Sequence, residues 1–197
     1  MAFPWSRRAP ELPKVTIQTA SVVLREKRLE DADTDYLWRT DPELSELDAT
    51  SPLRISFSDF QRFYKEEISR LSPFSHRLAI DTLDGKHIGN VMYYDVDYGR
   101  GQTELGIMIG DRDYWSQGYG TDTVKALVEH IFRSMPMKRV YLHTLEWNYR
   151  AQRSFTKAGF QPVRPVTRLG HKFLLMEVWR EDWEKQERGE APQGSES

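Results

Sequence analysis

Two segments of the chain carry apolar residues at the three- and four-residue spacing of an amphipathic helix. The longer helix is predicted to begin near residue 119, and its apolar stripe consists of Val124, Leu127, Val128, Ile131 and Met135. The other follows a Ser58/Gln61 capping box, and its apolar face consists of Phe60, Phe63, Tyr64, Ile68 and Leu71. We expect the first stripe to pack against a sheet.

Short segments with a strand-like pattern predict seven strands. Five of them cover residues 22–27, 76–81, 87–95, 103–109 and 139–144, and the last two are separated near Gly170. Shorter helices are predicted from Asp31 to Trp38, in a stretch that Pro42 ends, and over 149–158, which Gly159 ends. The predicted order is therefore strand, two helices, three strands, helix, strand, helix, two strands.

The length of 197 residues indicates one domain with tails. Residues 1–14 hold three prolines and two arginines with little periodicity, so we expect an arm whose order depends on docking elsewhere. Residues 184–197 contain a single apolar residue, Ala191, and we expect a disordered tail. The domain is then predicted to occupy residues 15–183.

Composition excludes several classes of protein. A hydrophobic share of 39% with a net charge of −2 argues against disorder along the whole chain, and the absence of a basic stripe argues against nucleic acid as a partner. No apolar stretch approaches the roughly 20 residues of a membrane span, and no secretory signal is recognised. The complete lack of cysteine favours a cytoplasmic location, and the histidine spacing supports no metal site.

A glycine-containing loop lies between the strand at 103–109 and the helix that starts near 119. The loop reads YWSQGYGT over residues 114–121, and such a loop at a helix N-terminus can bind an anion with its unpaired N–H groups. Neither nucleotide-binding fingerprint fits, because Thr123 replaces the third glycine of G-x-G-x-x-G and no P-loop lysine is present. From the residues alone, Gly118 and Gly120 either hold a phosphate or merely shape a tight loop.

A second pattern follows the strand at 139–144, where Asn148, Ala151 and Phe155 precede a helix-ending Gly159-Phe160. Together with YWSQGYGTDTV, this spacing resembles the GNAT superfamily of acyl-CoA-dependent N-acetyltransferases, and within it the RimJ/RimL-like branch. The resemblance covers residues 20 to 180 approximately. It implies an α/β (α+β) fold, with a mixed, mostly antiparallel seven-stranded sheet, about four flanking helices and a splay between the fourth and fifth strands.

The resemblance also implies an enzyme that transfers an acetyl group from acetyl-CoA, its co-substrate, directly to a primary amine. Its cofactor-binding residues would be Met108 and Ile109 for the pantetheine arm, Asn148 for the same arm, and, for the pyrophosphate, Gln117, Gly118, Tyr119, Gly120 and Thr121. Asn148 is equally well explained as a helix N-cap, and both roles can coexist.

Glu104 is the first candidate for a catalytic base, because branch members carry a glutamate at this position of the fourth strand. The competing interpretation is a glutamate that simply faces solvent. Phe155 stands where many members place a proton-donating tyrosine, and Ser154 is expected to face elsewhere, so the general acid is unidentified. Tyr141 and His143 rank low as site residues.

Four acidic residues border the expected acceptor cleft, namely Asp41, Glu43, Glu46 and Asp48. A negative rim would attract cationic amines such as polyamines, aminoglycosides or basic peptide N-termini, whereas the alternative is a solvated acidic loop. A different class of function is also open: a CoA-binding sensor or interaction module without turnover, which the missing tyrosine favours. Homodimer formation is left open.

Overall fold

An eight-stranded mixed sheet runs through residues 15–70 and 72–189, the part of the chain that the computed structural model describes. Its strands lie in the order β1-β2-β3-β4-β5-β6-β8-β7, and every neighbouring pair is antiparallel except β5 and β6. The strands are β1 (Thr16–Gln18), β2 (Val22–Glu26), β3 (His76–Thr82), β4 (His87–Asp97), β5 (Gln102–Ile109), β6 (Arg139–Leu145), β7 (Gln161–Arg168) and β8 (His171–Trp179).

The mixed, mostly antiparallel sheet confirms the expected fold class, but the described residues form one strand more than the seven predicted. The additional strand is β1, in which Ile17 pairs with Leu24 of β2. Three residues are too few to show an alternating pattern, so only the pairing with β2 reveals this strand. The predicted fourth and fifth strands are consequently β5 and β6.

Six α-helices are present in the described residues, where about four were predicted. They are α1 (Ala32–Thr40), α2 (Pro42–Leu47), α3 (Phe57–Ser69), α4 (Tyr119–Ser134), α5 (Tyr149–Lys157) and α6 (Arg180–Glu187). None of these helices is long and apolar enough to span a membrane. The predicted arm at 1–14 and residues 190–197 of the predicted tail lie outside the described residues.

The helix α6 corrects the expected start of the tail, because residues 184–187 are helical. Arg180 donates to the carbonyl oxygens of Met137 and Met135, at 2.7 Å each, and the Trp183 ring packs against Phe132 with the centroids 5.5 Å apart. These contacts with the end of α4 hold a segment that has no apolar stripe of its own, which is why the sequence pattern did not predict it.

The start of α3 differs from the sequence-based prediction. Ser56, rather than Ser58, is the N-cap, and its Oγ accepts a hydrogen bond from the Asp59 N–H at 3.2 Å. Tyr64 is buried on this helix, but Phe63 is 52% exposed, so the predicted apolar face is only partly covered. Leu71 lies outside the described residues.

One face of the sheet packs on α4 as predicted. The stripe residues Val124, Leu127, Val128 and Ile131 are buried, and Met135 is partly buried against the same core. From β5 and β6 the core receives Leu105, Val140 and Leu142, which share this face of the sheet.

A buried polar network joins α1 to the other face of the sheet. Asp35 of α1 accepts hydrogen bonds from Asn90 of β4 at 2.6 Å and from the Tyr64 hydroxyl at 2.9 Å, and it also contacts Lys27 and His87. Burial by itself raises the pKa of this carboxyl, but hydrogen bonds from His87 and Asn90 and the charge of Lys27 hold its pKa well below the usual range. Asp35 is therefore a buried anion that depends on its partners.

The strands β5 and β6 separate after a short parallel segment. They pair at Gln102–Arg139, Thr103–Val140 and Glu104–Tyr141, and no further pair joins them in the described residues. Beyond this point β5 stays bonded to β4 as far as Ile109, and β6 stays bonded to β8 as far as Leu145. A V-shaped opening, the splay, therefore separates the predicted pair of strands, and it begins directly after Glu104.

Candidate active site

A cavity of about 310 Å³ lies at the open end of the splay. It is enclosed by the end of β5, the glycine loop, the N-terminus of α4, the helix α5 and the helix α2. Unpaired N–H groups at the start of α4 lie at this cavity, since Gly118, Gly120 and Thr121 all line it. The cavity thus combines a helix N-terminus with the edge of a strand that has lost its neighbour.

The two glycines of the loop are required for different reasons. Gly118 is the N-cap of α4 and has a φ of +97°, a left-handed conformation that L side chains rarely adopt, although nothing lies within 4 Å of a Cβ placed there. A Cβ on Gly120 would lie 3.6 Å from Ser154 Oγ, which is ordinary contact distance. Gly118 therefore allows the left-handed backbone conformation at the start of α4, and Gly120 keeps the cavity wall free of a side chain.

Trp115 connects the loop to the strand before it. Its indole N–H donates to the carbonyl oxygen of Ile109 at 2.7 Å, and the guanidinium of Arg150 stacks on its ring at 3.6 Å from the centroid. Trp115 thus has a structural role in the loop. It fastens both β5 and α5 to the glycine loop.

Asn148 has the capping role that its residue type predicts. Its side-chain oxygen accepts from the Ala151 N–H at 3.2 Å at the start of α5. Asn148 also lines the cavity, and its amide N–H₂ donates no hydrogen bond among the described contacts of this side chain. Capping and a contact with a bound molecule are therefore compatible.

Three basic residues of α5 line the cavity and were missed in the sequence analysis: Arg150, Arg153 and Lys157. Their spacing of three and four residues places them on one helix face, so the signal was present in the sequence. Burial lowers the pKa of Arg150, while the charge of Glu43 opposes this shift. Cations beside a helix N-terminus form an environment suited to phosphate groups.

Ser154 does not face away from the cavity, contrary to expectation. Its hydroxyl lies 2.8 Å from the Thr121 hydroxyl, and both Ser154 and Phe155 line the cavity. The cavity wraps around the side of α5, so adjacent positions about 100° apart on that helix can both reach it. Phe155 is 8% exposed and offers no proton donor.

Six of the eight residues predicted to bind the cofactor line this cavity, namely Met108, Ile109, Gly118, Gly120, Thr121 and Asn148. Gln117 and Tyr119 are not among its lining residues. The Gln117 side chain donates back to the carbonyl of Asp113, and the Tyr119 ring packs edge-on against Tyr114 with centroids 5.2 Å apart. Their side chains are committed to the loop itself.

Pairing along the sheet decides which backbone groups of β5 face the splay. The Gly110 N–H donates to the Ile88 carbonyl, so alternation along the antiparallel ladder directs the backbone groups of Met108 towards β4. The backbone groups of Ile107 and Ile109 then face the side that β6 has left. This corrects the expectation for Met108, because alternation of side chains alone does not show where the N–H groups point.

Glu104 lies at the apex of the splay, in the last pair that joins β5 to β6. It is 3% exposed, which excludes the interpretation of a solvent-facing glutamate. Its Oε1 lies 2.8 Å from Nδ1 of His143 and 3.4 Å from Nη1 of Arg168. Burial raises the pKa of Glu104, but hydrogen bonds from His143 and Tyr94 and the charge of Arg168 outweigh it and leave the pKa below its ordinary value.

Aromatic rings surround this carboxylate. The His143 ring packs edge-on against Tyr141, with centroids 5.9 Å apart, and against Phe173 of β8, with centroids 6.2 Å apart. Burial and the negative charge of Glu104 both raise the pKa of Tyr94, which therefore stays protonated. The residues Tyr141 and His143, which ranked low in the sequence analysis, are in direct contact with the candidate base or with its neighbour.

The acidic segment is a helix and not a loop. Asp41 caps α2 by accepting from the Leu44 N–H at 2.9 Å, and Pro42 occupies the first helical position, so Pro42 both ends α1 and starts α2. Arg112 binds Asp41 at 2.9 Å and Glu43 at 2.7 Å. Arg39 lies 3.2 Å from Asp48, so three of the four carboxylates already have an arginine partner and the expected negative rim is largely neutralised.

No group of three or more histidine, cysteine, aspartate or glutamate side chains within residues 15–70 and 72–189 is arranged to hold a metal ion.

Comparison with known proteins places this geometry in context. The acetyltransferase (GNAT) domain family matches residues 21–161. A probable spermine N(1)-acetyltransferase of Bacillus subtilis subsp. natto is 31% identical over 100 residues, which cover 48% of this chain and 66% of that protein, just under two thirds of its length. An aminoglycoside N(6')-acetyltransferase type 1 of Serratia marcescens is 26% identical over 185 residues, covering 88% of this chain and 90% of that protein.

Solved structures share the same architecture. The aminoglycoside acetyltransferase AAC(6')-Ib in complex with coenzyme A has a TM-score of 0.70 at 23% identity, covering 85% of this chain and 99% of that one. The spermidine N-acetyltransferase from Vibrio cholerae in complex with CoA and spermine has a TM-score of 0.73 at 15% identity, covering 84% and 99%. At these identities the comparison shows the fold.

Proposed function

The chain belongs to the acetyltransferase (GNAT) domain family, and on that premise we propose that it transfers an acetyl group from acetyl-CoA directly to a primary amine of a small molecule. The observation that carries the proposal is the cavity at the splay, where the free edge of β5 meets the N-terminus of α4 and a row of basic residues on α5. CoA has the matching chemistry, an amide-containing arm joined to a pyrophosphate and a further phosphate.

The residues of the cavity fit that molecule in order along its length. The N–H groups at Gly118, Gly120 and Thr121 would bind the pyrophosphate, with Arg153 and Lys157 supplying positive charge beside it. The carbonyl oxygen of Ile107 would accept a hydrogen bond from the pantetheine arm in place of the lost strand. The Ile109 carbonyl already accepts from Trp115, so Ile107 has the more available groups.

Acetyl transfer requires a neutral amine to attack the thioester carbonyl, a donor for the developing oxyanion and an acceptor for the amine proton. We assign acceptance of the amine proton to the group of polar side chains at the apex of the splay, which includes Glu104. A backbone N–H of β5 that faces the splay, that of Ile107, is the proposed oxyanion donor. The thiolate leaves without a tyrosine at position 155 to protonate it.

The proposed acceptor is a primary amine of a cationic small molecule, with a peptide N-terminus as a broader variant. Support comes from the relatives, which are named for polyamines and aminoglycosides. The acidic helix α2 does not add to this support, because Arg112 and Arg39 pair with most of its carboxylates. Aromatic rings beside Glu104 provide surfaces against which an alkylamine or a sugar can pack.

Two finer assignments stay proposals. The loop YWSQGYGTDTV supports membership of the RimJ/RimL-like branch, although the relatives described above are named as polyamine and aminoglycoside acetyltransferases. The lack of cysteine supports a cytoplasmic location.

Acetyl-CoA consumption in the presence of spermine, kanamycin or a basic peptide tests the proposed function. We expect turnover with at least one of these amines and a mass increase of one acetyl group on the product. The control is Gly120→Val, whose side chain enters the cavity and should abolish turnover. Tight binding of acetyl-CoA without acetylation of any amine would instead support the sensor or interaction module.

A further inference from the structure

We propose that His143, and not Glu104 itself, accepts the proton from the attacking amine, while Glu104 holds the imidazole in position and stabilises its charge. This inference rests on the proposed acetyl transfer and adds a catalytic residue to it. It is based on the contact between Glu104 of β5 and His143 of β6, next to the place where these strands separate.

The position of His143 is set by the register of the sheet. It follows Tyr141 by two residues, so it lies on the same face of β6, one step beyond the last pair with β5. From there its ring reaches back across the apex of the splay to the buried Oε1 of Glu104, 2.8 Å from Nδ1. His143 therefore lies two residues further along β6, towards the opening of the splay, than the pair Glu104–Tyr141. Neither His143 nor Glu104 is among the residues that line the cavity.

The proposal requires the tautomer of His143 that carries its proton on Nδ1. Two atoms that both lack a proton would repel at 2.8 Å, and the pKa of Glu104 lies below its ordinary value, so the shared proton is on Nδ1. Arg168 Nη1 also lies 2.9 Å from Nδ1, and because a guanidinium only donates, this contact competes with the one to Glu104. In the proposed step the proton on Nδ1 faces Glu104. The lone pair of Nε2 is then available to accept a proton.

Glu104 is poorly suited to take that proton directly. Its carboxylate is surrounded by His143, Tyr94 and Arg168, and these partners stabilise its ionised form. A carboxylate with a depressed pKa is a weak base, whereas an imidazole changes charge between pH 5 and 8 and suits proton transfer at neutral pH. In this pair Glu104 supplies the negative charge, and His143 accepts the proton.

The charged and titratable groups around His143 act in opposite directions. The Glu104 carboxylate favours the imidazolium, and the half-exposed guanidinium of Arg168 on β7, 2.9 Å from Nδ1, opposes it. Tyr141 on β6 contacts the ring edge-on, and Phe173 on β8 contributes no charge. In the proposed step, the Glu104 carboxylate stabilises the imidazolium that proton transfer produces.

The step balances as follows. The amine nitrogen forms a bond to the acetyl carbon, and the C–S bond breaks with its electron pair passing to sulfur. One proton moves from the nitrogen to Nε2 of His143, giving an imidazolium paired with Glu104. The imidazolium returns that proton to water, and CoA leaves as the thiolate or thiol.

The test compares His143→Gln, Glu104→Gln and the control His171→Gln, using an amine that the wild-type protein acetylates. His171 is exposed on β8 and contacts the same Phe173 ring, but not Glu104. We expect His143→Gln to lower kcat by about 10²- to 10⁴-fold with the dissociation constant of acetyl-CoA within about twofold of wild type. His171→Gln should leave kcat unchanged, and added imidazole should restore part of the activity of His143→Ala.

The pH profile of kcat/KM distinguishes positioning from direct base catalysis. In Glu104→Gln the limb that reports loss of the base at acidic pH should remain and move to lower pH, because an imidazolium beside an uncharged amide is less stable. The proposal is overturned if His143→Gln retains wild-type kcat, or if Glu104→Gln abolishes the limb while His143→Gln keeps it. A wild-type protein that acetylates no amine would overturn the proposed function, irrespective of the histidine.

Discussion

The indole nitrogen of Trp115 lies 2.7 Å from the carbonyl oxygen of Ile109, six residues earlier in the chain. This hydrogen bond closes the segment between the end of β5 and the glycine loop. It also occupies one of the few backbone groups that β5 directs into the splay. Trp115 thus decides which backbone groups of β5 are available in the splay, although it lies on the loop.

Replacing Trp115 by Phe keeps an aromatic surface for Arg150 but removes the hydrogen bond to Ile109. We expect the free energy of unfolding to fall by about 1 kcal/mol, the usual net worth of such a bond. Acetyl-CoA should bind more weakly because the loop is less firmly held. Urea denaturation and titration calorimetry measure both effects, and wild-type values in both would show that the bond does not order the loop.

The two loop glycines should respond differently to substitution. Gly118→Ala should cost about 1–2 kcal/mol of stability, because its φ of +97° is unfavourable for a side chain. Gly85→Ala is a matched control, with a φ of +87° and equally open space, and should cost a similar amount without affecting ligand binding.

Gly120→Val should instead leave the stability nearly unchanged and remove ligand binding. Acetyl-CoA at 100 times its dissociation constant should raise the free energy of unfolding of the wild-type protein by about 2.7 kcal/mol. Thermal unfolding with and without acetyl-CoA measures this gain. A gain of the same size in Gly120→Val would show that the cavity is not where acetyl-CoA binds.

Basic residues of α5 should account for the salt dependence of acetyl-CoA binding. The double variant Arg153→Gln/Lys157→Gln should bind about fivefold more weakly per charge removed, close to 1 kcal/mol each at low ionic strength. Its dissociation constant should also rise less steeply with added salt. Arg100→Gln, in the turn before β5, is the control; equal salt dependence in all three proteins would contradict the phosphate role.

Asp35 should make the protein sensitive to acid. Its pKa is lower in the folded than in the unfolded state, so the stability that it contributes is fully present above about pH 4 and is lost as the pH falls through the folded-state pKa. Asp35→Asn should lower stability at pH 7 by about 3–5 kcal/mol, since Lys27 and His87 lose their buried partner. Urea midpoints at pH 7 and pH 3 should differ less in the variant than in the wild type.

Local chemistry made several parts of the molecule predictable. Asp84-Gly85 is found in the turn between β3 and β4, with Gly85 at a positive φ, and Asn148 caps α5 as its residue type requires. The stripe on α4 is buried because its period matches the helix. In each case the determining interaction lies within a few residues of sequence, so the pattern carries the information.

Glu104 shows where such patterns are insufficient. Strand alternation placed it on one face, but its burial depends on His143 and Arg168, which follow it by 39 and 64 residues. The same holds for the acidic segment at α2, where Asp41 and Glu43 pair with Arg112 some 70 residues away in sequence. Charge partners at such separations have no periodic signature.

The sequence by itself determined the family resemblance, the glycine loop and the order of most elements, because backbone propensities and hydrophobic periods are local properties. The splay between two strands was implied by that resemblance. Only the tertiary structure decided that the backbone of Ile107 and not of Met108 faces the splay, and that His143 stands before a buried carboxylate. Both depend on the register between strands, which sets the direction of every N–H group and side chain at once.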